Sequence, residues 1–75
     1  MKKYEVGKSY THGYIGDHDL FTTWTVLKRT AQTVTITDGK VTKTKKIIKG
    51  LSEMRNAESV YPDGEYAKCP VLSAN

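Results

Sequence analysis

Cysteine, proline and the larger aromatics are scarce: the 75 residues include one Cys, two Pro, one Phe and one Trp. A lone Cys69 excludes an internal disulfide and cannot by itself build a thiolate zinc site, so a cytoplasmic protein is expected. No apolar run approaches the ~20 residues needed to cross a bilayer. The opening Met-Lys-Lys-Tyr-Glu-Val-Gly lacks the apolar stretch of a signal peptide, so neither membrane contact nor export is expected. The six glycines are scattered singly, leaving no phosphate-cradling loop. His12 with Asp17-His18-Asp19 has the donor types of a metal or acid–base site but not the compact spacing of a zinc motif. His18 reads as a residue of a polar turn, and no metal is assigned.

Length restricts the function classes further. A chain of this size forms one domain and buries only about 60% of the surface its unfolded form exposes. So thin a core leaves little room for a deep cleft. The expectation is a non-enzymatic module covering residues 1–75, with no catalytic residue and no cofactor.

Positive charge is the abundant feature. The net charge is +4, and residues 1–38 contribute +1 against +3 from residues 39–75. Lys40 to Lys49 hold five lysines and no acid. This stretch follows an Asp38-Gly39 turn signal and lies among Thr, Val and Ile. A cationic, extended hairpin suits a polyanion. Charged edges that discourage aggregation supply an alternative reading of the same lysines.

Thr, Val, Ile and Tyr favour strands. A first strand is expected over Tyr4 to Ile15, interrupted at Gly7 and Gly13, followed by a polar loop at Gly16 to Asp19. A second covers Phe21 to Arg29, with Phe21, Thr23, Thr25 and Leu27 on one face and Thr22, Trp24, Val26 and Lys28 on the other. A third, Thr33 to Thr37, turns Val34 and Ile36 inward. A two-residue Asp38-Gly39 turn would pair Thr37 with Lys40, Ile36 with Val41 and Val34 with Lys43, putting a lysine on the inward face. Either a bulge re-aims this strand or Lys43 to Lys46 run past the core. Leu51 to Ala57 reads as a helical turn or crossover with Ser52 as candidate N-cap. Tyr61-Pro62-Asp63-Gly64 reads as a turn facing Val60 with Tyr66 and Glu58 with Lys68. Pro70 to Leu72 adds an edge segment before a frayed end.

These elements predict an all-β domain of five to six short antiparallel strands, a small SH3-like or OB-like barrel. SH3-like is preferred because Leu51 to Ala57 is short for an OB helix. The expected core includes Trp24, Val26, Val34, Ile36 and Val41. Candidate nucleic-acid or anion contacts are Arg29, Lys43, Lys45, Lys46 and Lys49, Arg29 because its guanidinium can grip a phosphate bidentately. Arg29, Lys43, Lys45 and Lys46 are expected on one face of the hairpin, away from acids. Tyr10, His12 and Tyr14 alternate along one strand and form a candidate stacking set. The competing reading is that some of these rings fill the core.

The segments Lys28-Arg29-Thr30-Ala31-Gln32-Thr33-Val34-Thr35-Ile36 and Tyr61-Pro62-Asp63-Gly64-Glu65-Tyr66, with the Pro70-Val71-Leu72 ending, resemble small accessory proteins of phages and plasmids. Those proteins often carry Lys where this chain has Gln32. The resemblance implies a mobile-element setting and no particular activity. Three functions follow: a nucleic-acid-binding barrel, a counter-defence protein that blocks a host nuclease (anti-CRISPR-like) or sequesters a nucleotide signal, and a structural or scaffold module. The expected partner is nucleic acid or a nucleotide, or a host defence protein, and an edge strand offers a route to a homodimer.

Overall fold

A computed structural model of the chain describes residues 1–14, 17–64 and 70–74, and the side chains of these apart from residues 14 and 17–20. The chain is mostly β. Strands β1 (Ser9–Tyr14), β2 (Asp17–Arg29), β3 (Thr33–Thr37) and β4 (Thr42–Lys46) form one antiparallel sheet in that order. A helix, α1 (Lys49–Arg55), leads to a second ladder in which β5 (Ser59–Val60) pairs antiparallel with β6 (Leu72–Ser73). Among the described residues no helix is long and apolar enough to cross a membrane.

Both glycines expected to interrupt the first strand do so by different means. Gly7, at φ 87°, takes the third position of a turn closed by Lys8 N–H to the Glu5 carbonyl at 3.1 Å, a position that demands positive φ. At Gly13 the β1–β2 register shifts, and β2 already starts at Asp17. Asp17-His18-Asp19 therefore belong to a strand rather than the expected loop. Pairing continues there because the slipped register brings Tyr14 opposite Asp17. The side chains of Tyr14, Asp17, His18 and Asp19 lie outside the described residues.

The inner face of the large sheet carries Tyr10, His12, Trp24, Val26, Val34 and Ile36, all buried. Val60, Leu72 and Ala74 cover it together with Tyr4, whose ring meets Tyr10 edge-on at 5.1 Å between centroids. Tyr4 also ties the layers by polar contacts. Its N–H donates to Glu58 Oε1 at 2.7 Å and its hydroxyl to the Leu72 carbonyl. Val41, expected in the core, is 47% exposed because it sits in the hairpin loop.

The remaining elements refine the sequence reading. Ser52 is not an N-cap. It lies within α1, donates its hydroxyl to the Ile48 carbonyl at 2.7 Å and accepts the Ser59 N–H at 2.9 Å, so it joins the helix to β5. Asn56 ends α1 in the left-handed region at φ 53°. The Tyr61–Gly64 turn forms as expected, with Gly64 N–H to the Tyr61 carbonyl at 3.1 Å and Gly64 at φ 96°. Tyr66 and Lys68 lie outside the described residues, and the described partner of Val60 is Leu72. Ala74 is not frayed. It is buried, and its N–H donates to the Glu58 carbonyl at 2.9 Å.

Candidate nucleic-acid interface

The lysine-rich hairpin forms, but with a longer loop than two residues. Thr37 pairs with Thr42, Ile36 with Lys43, Val34 with Lys45 and Thr33 with Lys46, leaving residues 38–41 as the loop. The Asp38 carboxylate explains the difference, since its Oδ1 accepts the N–H groups of both Lys40 and Val41 at 2.8 Å. These hydrogen bonds, Val41 first, hold its carboxyl below the ordinary value. Thr37 Oγ1 adds a bond from Gly39 N–H at 3.1 Å, with Gly39 at φ 97°. A two-residue turn would leave these side-chain acceptors unused.

The two-residue change of register preserves which lysines face inward. Lys43 and Lys45 share the inner face with Ile36 and Val34, whereas Lys46 faces outward with Thr42 and Thr44. No bulge re-aims β4, and the strand does not run past the core. Lys43 stays half-buried because its ammonium finds partners: the Pro62 carbonyl at 3.1 Å, Asp63 at 3.4 Å and the Trp24 ring at 5.7 Å from its centroid. The expected gathering of Arg29, Lys43, Lys45 and Lys46 on one acid-free face is therefore corrected.

Arg29 departs most from the expected geometry. The β2–β3 register shifts between Val26 and Lys28, so Arg29 pairs with Val34 and turns inward. Unbroken alternation would have sent Lys28 there instead. The guanidinium grips a carboxylate bidentately, as its chemistry suggests, but that carboxylate is Glu58: Nη1 to Oε1 at 2.5 Å and Nη2 to Oε2 at 2.9 Å. Nη1 also donates to the Tyr4 carbonyl at 2.9 Å. Arg29 is a structural tie between the sheet and its cover.

Tyr10 and His12 are likewise corrected as stacking rings, because each is only 5% exposed. The Tyr10 hydroxyl accepts the Glu5 N–H at 3.0 Å, and His12 Nε2 accepts the Trp24 indole N–H at 3.1 Å. They belong to the thin core. Tyr14, the third member of that set, has no described side chain.

Lys45, Lys46 and Lys49 remain as contiguous cations. Lys45 and Lys46 line one groove with Tyr61 and Gly64, and Lys46 and Lys49 line the next with Gln32, Ile47 and Glu53. No ion pair engages these three among the described residues. Lys40, exposed in the loop, extends the charge to the hairpin tip. Phe21, placed by its spacing on the face opposite Trp24 but not among the candidate contacts, is 63% exposed on the outer sheet face. Its signal was the alternation in β2, where burial of Trp24 and Val26 requires Phe21 to point the other way.

No protein-family model, curated protein or solved structure matches this chain.

Proposed function

We propose that this chain is a non-enzymatic accessory protein of a phage or plasmid, acting in the cytoplasm and binding nucleic acid through the basic end of its β3–β4 hairpin. The observation that carries this reading is the run Lys45, Lys46 and Lys49 along two adjoining grooves, without an ion pair among the described residues. Lysines rooted on a strand and at a helix start can reach successive phosphates of one backbone, and each contact releases condensed counterions. The accompanying fold reading is a small SH3-like barrel. It is supported by packing of β1 against β6 and by the shortness of α1.

Salt dependence tests the proposal. Binding to a short DNA duplex is measured by anisotropy across a salt series for the native chain and for Lys45→Gln/Lys46→Gln/Lys49→Gln. The triple variant should bind more weakly, with its log–log slope reduced by about 0.9 per lost contact. Equal slopes in a folded variant would refute the proposal. A host protein retained on the chain after nuclease digestion would favour the counter-defence reading.

A further inference from the structure

The outer face of the four-stranded sheet bears a ligand chemistry that the lysine run does not explain. Across its strands the register aligns hydroxyl with hydroxyl: Ser9 beside Thr25, Thr11 beside Thr23, Thr35 beside Thr44. The paired oxygens are 2.8, 2.9 and 3.0 Å apart. Each hydroxyl has one donor and two acceptor sites, so a pair sharing one hydrogen bond keeps an O–H and several lone pairs. Ser9, Thr11, Thr23 and Thr44 are exposed and offer theirs to an outside partner, whereas Thr35 is buried and serves to hold Thr44.

Phe21 stands at one end of this face. Its register partner is Gly13, which places no side chain beside the ring. A large ring is thus left open on that flank to a planar group, instead of being covered by a cross-strand neighbour. Lys28 and Lys46 stand toward the other end, both exposed. Among the described side chains of the face there is no acid. Phe21 to Lys28 spans roughly 20 Å of strand at about 3.3 Å per residue.

We propose that this outer face binds single-stranded nucleic acid, with a base stacked on Phe21, the hydroxyl pairs against sugar and phosphate, and Lys28 and Lys46 on the backbone. The proposal rests on the nucleic-acid reading above and gives it a strand preference. A duplex hides its base faces in the stack, so an exposed ring flanked by neutral donors and a few cations suits unpaired bases. Hydroxyl contacts position a backbone without adding charge. The available length matches the shortest single-strand sites, about four nucleotides.

The experiment measures anisotropy of labelled oligothymidylate, oligouridylate and a short DNA duplex against the native chain, Phe21→Ala, Phe21→Tyr and Thr11→Glu. Circular dichroism and urea midpoints confirm folding, which exposure of both sites favours. Phe21→Ala should weaken single-strand binding about tenfold while leaving duplex binding within about twofold, and Phe21→Tyr should retain it. Thr11→Glu should weaken single-strand binding by placing an acid on the face. Normal single-strand binding by folded Phe21→Ala and Thr11→Glu would overturn this inference and leave the lysine site standing. Equal losses on single strand and duplex would overturn the strand preference. If the native chain binds none of the three probes, the nucleic-acid reading itself falls.

Discussion

Arg29 and Glu58 face each other as a two-pronged ion pair, Nη1–Oε1 at 2.5 Å and Nη2–Oε2 at 2.9 Å, with the Tyr4 N–H completing the carboxylate's partners. The pair joins the end of β2 to the segment before β5, and its carboxylate is largely shielded from water. Removing one partner leaves the other charge without its counterion. Glu58→Ala should therefore cost about 3 kcal/mol in urea unfolding, the lower end for a broken buried pair because the guanidinium reaches solvent. Arg29→Met combined with Glu58→Leu should recover much of that loss. An unchanged midpoint for Glu58→Ala would show that the tie is dispensable.

Acid should expose the same relationship. Burial pushes the Glu58 carboxyl up, but hydrogen bonds from Arg29 and the Tyr4 N–H, aided by the Arg29 and Lys3 charges, outweigh burial and hold it below its ordinary value. A carboxylate lowered on folding stabilises the fold above its unfolded pKa, about 4.3, and loses that contribution as pH falls through the depressed value. Asp38 acts with the same sign. Denaturation midpoints should fall below about pH 4 in the native chain. Glu58→Gln, with Asp38→Asn as a separate control, should flatten that fall.

Trp24 anchors the inner face and also donates to His12 at 3.1 Å. Trp24→Ala should cost about 3–5 kcal/mol, comparable to the whole stability of a small domain. His12→Leu keeps the volume but removes the acceptor, leaving a buried indole N–H unpaired at a cost of about 1–3 kcal/mol. Thermal melts followed by circular dichroism check both. A cooperative Trp24→Ala melt at the native temperature would contradict the packing described.

Gly39 tests the loop. At φ 97°, with no atom within 4 Å of where a Cβ would stand, only backbone conformation opposes substitution. Gly39→Val should destabilise by about 1–2 kcal/mol, and Gly39→Asn by less. Equal stability of the two variants would argue against a left-handed residue at this position.

Lys43 and Lys46 should separate fold from binding. Lys43 bonds Pro62 and Asp63 and lies by Trp24, whereas Lys46 has no such ties among the described residues. Lys43→Gln should lower the unfolding midpoint more than it weakens duplex binding, and Lys46→Gln should do the reverse. Opposite results would exchange their roles.

Period-two alternation made much of the sheet legible: Trp24, Val26, Val34 and Ile36 lie inward as their spacing requires. Phe21 was legible by the same rule, as the far side of the Trp24 strand. Arg29 was not, because the register shift beside Leu27 carries no Gly or Pro to announce it and reverses the side on which Arg29 emerges. The hairpin loop was misjudged by two residues because the Asp38 carboxylate, rather than backbone φ alone, sets its length. Tyr10 and His12 were correctly grouped on one face, yet nothing local told which face the distant Val60, Leu72 and Ala74 would cover.

The tie from the Tyr4 hydroxyl to the Leu72 carbonyl spans 68 positions of the chain. On the ribosome, residues 9–46 can pair strand by strand as they emerge, since each ladder joins sequence neighbours. The cover for Trp24 and Ile36 cannot be completed until Leu72 and Ala74 have cleared the exit tunnel. Sealing of the core thus waits for the last of its strands, and a nascent chain stalled short of Leu72 presents its aromatic inner face to chaperones and proteases.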